Sequence, residues 1–380
     1  MERLTGITQR YAWGSHTLLA TLRGLEPSDD PEAEIWYGAH DAAPSVLDGG
    51  QTLISDIEAD PKSLLGNGIV REHGAKLPFL LKLLAVGEPL SIQAHPTAEQ
   101  AAAGFERENA AGILIGAPNR SFRDDAPKPE LIAALTPFEA LVGFRPVPRT
   151  LDYLASIGAH TLQHVLRERG LLATVRWALA PTADERASVE TAVDELVLSA
   201  GRDESIEWHL EAQLVSSIAK LYPGDAGLLI AALLNRVLLE PGEALYLDAG
   251  TLHSYVSGLG VEIMGNSDNV LRGGLTKKNT DAENLLEVLR DEASEVEVIT
   301  PDGDGTYQTP AREFLLSTLT AESKSITGPA IVLAIDGEVT ILCDGRTLVL
   351  APTEAVWLSA ADSATAETNG RCFVAEVPHQ

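Results

Sequence analysis

The sequence predicts a mainly β fold that is interrupted by an α-helical domain. Short apolar runs and turn signals mark residues 1–147, and β-like segments return from about 236. Between about 148 and 235, apolar residues recur at three- and four-residue spacing, which indicates helices. The chain has 380 residues, whereas domains typically run to about 100–200 residues. We therefore expect two or three folding units.

The changes between β-like and helical sequence patterns indicate where the folding units meet. We place the first part of a catalytic β domain at 1–147, the helical domain at 148–235, the second part of the β domain at 236–300, and a further β domain at 301–380. In the last region, short apolar segments alternate with turn residues at a spacing typical of a sandwich or barrel. These segments are 330–335, 338–343, 347–350 and 355–358.

The helical block contains one clear amphipathic helix. Thr182 can cap it with Glu185 at the third position, and Gly201 stands where it would end. One face of this helix is apolar: Val189, Ala192, Val193, Leu196 and Val197. A second helix is predicted over 207–222, before a Pro-Gly turn. The block carries no metal-ligand or basic pattern, so we interpret it as a scaffold or lid.

Acidic residues outnumber basic residues by 55 to 28, which gives a formal net charge of −27. This balance argues against nucleic acid or an anionic membrane surface as a partner. An anionic substrate would need a local basic pocket. The two cysteines, Cys343 and Cys372, are too few for a disulfide framework. No apolar run reaches the roughly 18 residues of a membrane span, so we expect a cytoplasmic protein.

Three polar side chains share one face of a predicted strand between Pro89 and Pro96. Side chains two residues apart point the same way in a strand, so Ser91, Gln93 and His95 project together. Histidine nitrogen and glutamine oxygen are both competent metal ligands. A structural histidine is the alternative interpretation.

Lys128 and Glu130 lie two residues apart, and each follows a proline. Prolines favour an extended backbone in the residue before them, so the two charged side chains would lie on one side of the chain. Stiff placement suits a functional site. The alternative is a solvated turn.

His253 and Tyr255 would share a face of a strand that follows a short strand at 244–247 and a glycine turn. This succession, with an inward histidine, is typical of a cupin barrel, and such small barrels often hold one metal ion. A buried structural histidine is again the alternative.

Arg272 is followed by two glycines and then by Lys277 and Lys278. Glycine permits close approach of the backbone, and arginine and lysine bind anions. In so acidic a chain this segment is a candidate anion cradle. A basic surface turn is the alternative.

These four segments, in this order, closely resemble the type I phosphomannose isomerases. Segments 11–15, 33–38 and 136–146 match the same family. The resemblance runs from about residue 8 to 280 and is weakest in the helical block. It implies a metal-bearing cupin (jelly-roll) barrel interrupted by a helical domain, with a second cupin-like β domain at the C-terminal end.

The resemblance also implies a reaction. Members of this family interconvert mannose 6-phosphate and fructose 6-phosphate, within mannose and GDP-mannose metabolism, with one divalent ion that is usually zinc. Transferred by motif, the ligands of one zinc ion per chain are Gln93, His95, Glu130 and His253. Two nitrogen and two oxygen ligands leave room for water or substrate, as a catalytic zinc requires.

The family resemblance implies roles for further residues. Ring opening would fall to His95 and Asp268, and proton transfer between C1 and C2 to Lys128, with Glu262 or a metal-bound water as competitors. Arg272 would stabilise the negative charge that develops in an enediol-like transition state. The remaining substrate contacts would be Ser91, Lys82, Lys278 and Tyr255.

Two features of the sequence bear on how the family's residue roles carry over to this chain. Many bacterial members have a histidine immediately before the Lys-Pro-Glu run, and here that position is Pro127. We interpret the missing histidine as dispensable. No histidine occurs between residues 311 and 378, so we expect no second metal site in the tail.

Two other functions stay open. A cupin that senses sugar phosphates without turnover would be expected to lose Lys128 or Arg272, and both are present. An iron cupin oxygenase favours two histidines and a carboxylate with open positions, and the additional Gln93 argues against it. For the isomerase we expect a small sugar phosphate as the partner, no nucleic acid, no membrane, and a monomer.

Overall fold

The computed structural model describes residues 1–202, 207–278 and 280–378. The strands, in chain order, are β1 Glu2–Thr5, β2 Ile7–Gln9, β3 Glu34–Gly38, β4 Val46–Leu47, β5 Phe79–Val86, β6 Gln93–Ala94, β7 Glu130–Ala134, β8 Phe138–Phe144, β9 Leu234–Leu239, β10 Ala244–Leu247, β11 His253–Gly265, β12 Leu271–Arg272, β13 Thr306–Tyr307, β14 Leu315–Thr320, β15 Ser323–Thr327, β16 Ala330–Asp336, β17 Val339–Cys343, β18 Arg346–Leu350, β19 Ala355–Leu358, β20 Ser363–Thr368 and β21 Arg371–Glu376. The helices are α1 Leu18–Leu22, α2 Leu53–Ala59, α3 Pro61–Leu65, α4 Asn67–His73, α5 Ala98–Ala110, α6 Val147–Ile157, α7 His160–Arg169, α8 Leu171–Leu179, α9 Arg186–Ala200, α10 His209–Leu221, α11 Gly227–Ala231 and α12 Ala282–Val288. Within these described ranges, no helix combines the length and the apolar character needed to cross a membrane.

The sheet that carries the predicted site residues is built around β11, which spans 13 residues. Its second half pairs with β5 and β7 and places Glu262 opposite Lys82, whereas its first half pairs with β6 and β8 and places His253 opposite Gln93. Gly258 lies where the strand changes partners. Its φ is +121°, and a Cβ atom there would lie 2.7 Å from the carbonyl oxygen of Pro137, which directly precedes β8. Glycine is therefore required at this position.

The tail of the chain forms two facing antiparallel sheets. One has the order β13-β14-β21-β16-β19-β1-β4 and the other the order β15-β20-β17-β18. Apolar side chains from both sheets fill the space between them, among them Val332, Ile341, Leu350, Val356 and Val374. The four strands that the sequence predicted here are confirmed as β16, β17, β18 and β19.

The first strand of the chain belongs to this tail sheet. In β1, Leu4 lies opposite Ala355 of β19, and β4 pairs with the other edge of β1. From sequence, residues 2–5 belong to the first β region, whereas in the structure they pair within the tail sheet. Pairing across so long a stretch of chain has no local signature in the sequence. Side chains of both β regions share one apolar cluster, which includes Leu4, Tyr37, Leu81, Trp357 and Phe373.

Leu4 therefore stabilises the junction of the two β regions, and it is only 2% exposed. We expect Leu4→Ala to lower the free energy of unfolding by about 2–4 kcal/mol, because it removes buried apolar surface and leaves a cavity. Leu25, which is 63% exposed, provides the matched control, and Leu25→Ala is expected to change it by less than about 0.5 kcal/mol. Urea denaturation of both variants measures the difference. Equal effects would contradict the role of β1 in the junction.

The helices α6 to α11 pack around an apolar core that they share with residues of the site-bearing strands, among them Ala94 and Leu141. The predicted apolar face of α9 is buried at Val189, Ala192, Val193 and Leu196. Its predicted capping differs, because the hydroxyl of Thr182 donates to the carboxylate of Glu185 rather than capping a main-chain N–H of the helix. The predicted second helix is α10. The helical group also touches the site region, since the hydroxyl of Tyr222 donates to the carbonyl oxygen of Pro89 at 3.0 Å.

Candidate active site

Three potential metal ligands converge in the interior of the site-bearing sheet. His95, Glu130 and His253 are 2%, 2% and 0% exposed, and their ligand atoms lie within 4.8 Å of one another. Nε2 of His95 lies 3.2 Å from one carboxylate oxygen of Glu130, and Nε2 of His253 lies 3.3 Å from the other. The strands explain the convergence, because β6 leads into His95, β7 begins at Glu130 and β11 begins at His253.

The hydrogen bonds of the two imidazoles fix their tautomers. Nδ1 of His95 donates to the carbonyl oxygen of Asn269 at 2.6 Å, and Nδ1 of His253 donates to that of Thr251 at 3.0 Å. A carbonyl oxygen only accepts, so each Nδ1 carries the hydrogen. Burial lowers the pKa of His95 to about 4, so this ring is neutral at pH 7 and its Nε2 presents a lone pair.

The centre of the triad therefore lacks a donor. Among the described residues, neither Nε2 atom nor the Oε2 atom of Glu130 has a hydrogen-bond partner, although all three are buried. Orphaned buried polar atoms are rare in native proteins. Two imidazole nitrogens and a carboxylate that face one another are a donor set that suits a divalent cation such as zinc.

Gln93, the fourth predicted ligand, lies beside this triad. It pairs with His253 on one side and with Arg272 on the other, through the short ladder of β6 with β11 and β12. The predicted strand over 89–96 is formed only at Gln93–Ala94. The predicted alternation nevertheless holds, because Ile92 is buried in the core while Ser91 and Gln93 line the cavity.

Lys128 is buried at 7% exposure, and its Nζ lies 2.9 Å from an oxygen of Glu130. Burial alone would raise the pKa of Glu130, but the positive charge of Lys128 is the largest of the effects that outweigh burial and hold this pKa well below 4.5. Glu130 is therefore a carboxylate at neutral pH. Residues 126–129 belong to no helix or strand, and their Lys128 contacts the triad through Glu130.

Lys82 lies between two acids, at 3.6 Å from Glu34 and 3.1 Å from Glu262. Burial would lower the pKa of Lys82, but these two carboxylates raise it above 10.5, so the amine stays charged. Burial raises the pKa of Glu262. The indole nitrogen of Trp36 donates to Glu34 at 2.6 Å. Burial and then the charge of Glu262 raise the pKa of Tyr255 well above 10.

Two cations near the triad form no ion pair with any described carboxylate: Arg272 and Lys278. Arg272 is half-buried, and its pKa is lowered by burial and by neighbouring Arg123. Lys278 has a pKa that is lowered by burial and then by Arg272 and Arg123. Cations that crowd one another without acids attract an anion. The segment predicted from sequence as an anion cradle lies at this position.

The site residues line two adjoining cavities, of about 460 Å³ and 590 Å³. The first contains the triad side, with Ser91, Gln93, Glu130 and Tyr255. Both cavities share a wall of mostly basic side chains: Glu34, Lys82, Lys128, Arg272, Lys277 and Lys278. The site is thus locally basic in an acidic chain.

Asp268 lies in the second cavity, apart from the triad. Its carboxylate lies 3.5 Å from Nε2 of His40, and hydrogen bonding to His40 is the main cause that lowers the pKa of Asp268. The main-chain N–H of Ala42 donates to Nδ1 of His40, so the hydrogen of a neutral His40 ring is on Nε2 and faces Asp268.

The sequence analysis assigned no role to His40, Glu34 or Trp36. Segment 33–38 matched the family pattern, and the spacing of Glu34 and Trp36 places both on one face of β3. That spacing is the sequence signal from which a role for Glu34 and Trp36 could have been predicted. A second group with suitable ligand atoms, Cys343, Asp344 and Asp362, lies in the tail, where none was expected because histidine is absent. Asp362 there already pairs with the amino group of Met1 at 2.8 Å.

Comparison with known proteins places the chain in a family. The family description "Phosphomannose isomerase type I, catalytic domain" matches residues 1–147. The mannose-6-phosphate isomerase of Escherichia coli (strain K12) is 36% identical over 392 residues, which cover 98% of this chain and 98% of that protein. The mannose-6-phosphate isomerase of Salmonella typhimurium (strain LT2) is 37% identical over 383 residues, with 96% of each chain covered.

A solved structure extends the similarity to the whole fold. The crystal structure of mannose 6-phosphate isomerase from Salmonella typhimurium, bound to its substrate fructose 6-phosphate and to zinc, has a TM-score of 0.89 against this chain. The sequences are 33% identical in that comparison, and 100% of each chain is covered. The mainly sheet architecture with helices is therefore that of a phosphomannose isomerase. The chain belongs to the type I phosphomannose isomerase family.

Proposed function

We propose that this protein is a zinc-dependent aldose–ketose isomerase that interconverts mannose 6-phosphate and fructose 6-phosphate. The observation that carries the proposal is the buried triad of His95, Glu130 and His253, in which both Nε2 atoms and Oε2 of Glu130 have no hydrogen-bond partner among the described residues. Family membership supports the same reaction, as does the zinc and fructose 6-phosphate bound by the Salmonella typhimurium relative.

The triad and Gln93 would hold one zinc ion. When bound, zinc supplies a positive charge that polarises and orients the substrate oxygens. Both ring nitrogens of His95 are then occupied, one by the carbonyl of Asn269 and one by the metal. We therefore assign His95 to metal binding alone. Ring opening falls to Asp268, which His40 orients through its Nε2 hydrogen.

An aldose–ketose isomerase must move a proton between two neighbouring carbons. Lys128 is the buried amine on the shared wall of the two cavities, and the Pro-Lys-Pro backbone fixes its position. We assign proton transfer to Lys128. Glu262 is the competing base, and its carboxylate pairs with Lys82 at 3.1 Å. Arg272 stabilises negative charge on the enediol-like transition state.

The phosphate of the substrate binds at the basic wall. Lys278 and Arg272 are free of described acids, and Ser91 offers a hydroxyl at the same cavity. Such groups bind phosphate through charge-assisted hydrogen bonds. Lys82 adds positive charge to the wall, but its ammonium group is already paired with the carboxylates of Glu34 and Glu262. This local charge overcomes the repulsion from a chain with a net charge of −27.

The same proposal covers the wider organisation. The β regions are two cupin domains. The first comprises residues 1–147 and 236–300, and the helical domain at 148–235 is inserted into it. The second comprises residues 301–380, and β1 and β4 contribute to it. The protein acts as a cytoplasmic monomer. Cys343 and Cys372 are unpaired, as suits a reducing compartment.

The test is an assay of mannose 6-phosphate conversion to fructose 6-phosphate before chelation, after chelation, and after zinc is returned. We expect activity, then its loss, then its recovery, because two imidazole nitrogens and a carboxylate form a donor set that binds zinc reversibly. Circular dichroism after chelation serves as the control that the fold persists. A protein that holds one equivalent of zinc and binds the substrate without turnover would be a sensor, and the isomerase proposal would fail.

A further inference from the structure

Asn269 connects two parts of the site although it is not a metal ligand. It lies in the connection between β11 and β12 and is fully buried. Its main-chain carbonyl oxygen accepts the hydrogen of His95 Nδ1 at 2.6 Å. This bond sets the tautomer of His95 and turns its Nε2 toward Glu130.

The side chain of Asn269 holds a different segment. Its Oδ1 accepts from the main-chain N–H groups of Arg123 and Asp124, at 2.8 Å and 3.3 Å. Its Nδ2 donates to the carbonyl oxygens of Asp124 and Ala126, at 2.9 Å and 3.0 Å. Donors face the oxygen and acceptors face the nitrogen, so these partners define the amide orientation. Residues 123–126 immediately precede the Pro-Lys-Pro-Glu run.

A second set of hydrogen bonds connects the same two segments. The carboxylate of Asp124 accepts from the hydroxyl of Ser267 at 2.7 Å and from the main-chain N–H of Asp268 at 2.7 Å. His253 is held differently, because the carbonyl of Thr251, two residues away in its own strand connection, orients its ring. The position of His95 relative to Glu130 thus depends on Asn269, whereas that of His253 does not.

We propose that Asn269 is a positioning residue that sets His95 and the Lys128–Glu130 segment relative to each other, so that zinc affinity and proton transfer are coupled through one buried amide. The effect on proton transfer rests on the proposed function. The effect on zinc affinity rests only on the hydrogen bonds and the triad.

The test compares Asn269→Ala with Gln163→Ala. Gln163 serves as the control because its Nε2 also donates to a main-chain carbonyl, that of Leu151, at 2.9 Å within the helical group. Zinc affinity is measured by competition with a chelator, without substrate, and the melting temperature is measured on the metal-free proteins. We expect Asn269→Ala to weaken zinc binding by about 10- to 100-fold. At saturating zinc, its kcat stays below that of the unchanged protein.

Gln163→Ala is expected to lower the melting temperature of the metal-free protein while zinc affinity stays within about twofold, because its bond lies within the helical group, remote from the ligands. The proposal is overturned if Asn269→Ala folds and binds zinc within about twofold of the unchanged protein. If the unchanged protein binds zinc but has no isomerase activity, the proposed function fails while the affinity comparison still decides the role of Asn269.

A measurement on the unchanged protein covers the case in which Asn269→Ala does not fold. Hydrogen exchange of the main-chain N–H groups of Arg123 and Asp124 is followed with and without zinc. Neither residue is a ligand, and the main-chain N–H groups of β17 in the tail report any general stabilisation of the fold. Additional slowing at Arg123 and Asp124 therefore shows that zinc stabilises the segment that Asn269 clamps. We expect exchange to slow by at least about tenfold. Exchange that is indifferent to zinc, while the protein holds one equivalent, overturns the proposal.

Discussion

His253→Ala is expected to abolish zinc binding and to lower kcat by about 10³-fold or more. The loss of Lewis-acid stabilisation is worth several kcal/mol, and each 1.36 kcal/mol corresponds to about tenfold in rate. His253 is fully buried, and its Nε2 lies 3.3 Å from Glu130. Alanine offers no ligand atom. Zinc content after dialysis and the isomerase rate are the two measurements.

The matched control for this variant is His164→Ala, because His164 is exposed on helix α7, outside both cavities. We expect His164→Ala to keep zinc at one equivalent per chain and to keep the full rate. If His253→Ala retained both, His253 would be a structural histidine and the ligand assignment would fall. Loss of the fold, visible by circular dichroism, would be distinguished by testing His253→Gln, which keeps a side-chain oxygen near the same place.

Lys128→Met is expected to keep zinc but to lower kcat by about 10²- to 10⁴-fold, the usual contribution of a positioned acid or base. Methionine keeps an unbranched stem of similar length and removes the ammonium that lies 2.9 Å from Glu130. The exchange of the substrate proton at C2 with solvent should stop, because that exchange requires the group that takes the proton. Nuclear magnetic resonance in deuterated water measures it directly.

Two companion variants separate a proton-transfer role from a role for charge alone. Lys128→Arg keeps the positive charge beside Glu130, but a guanidinium does not release a proton near neutral pH. We expect Lys128→Arg to remain as slow as Lys128→Met. Restored activity in the arginine variant would assign Lys128 to electrostatic stabilisation and move the base to Glu262. Lys76→Met, at an exposed lysine, is expected to have the unchanged rate.

Much of the site could be predicted from the sequence because its signals are local. The period of two in a strand placed Ser91, Gln93 and His95 together, and the structure buries Ile92 and Ala94 between them. Helical periodicity identified the buried face of α9 in the same way. These patterns need only neighbouring residues, since backbone geometry fixes which side chains share a face.

The features that could not be predicted depend on the register between distant strands. Glu34, Lys82 and Glu262 meet because β3, β5 and β11 pair in one particular alignment. No spacing along the chain encodes that alignment. The pairing of β1 with β19 and the contact of His40 with Asp268 have the same origin. Long-range pairing is set by the packing of whole sheets, which a single sequence does not display.

The place of β1 in the tail sheet has a consequence for synthesis on the ribosome. Residues 2–5 emerge early, yet their partner β19 begins at Ala355. At about 5–20 residues per second, the nascent chain waits on the order of tens of seconds before this pair can form. During that interval the apolar side chains that the two β regions share are incompletely covered. Chaperone contact during translation, rather than after release, would protect this surface.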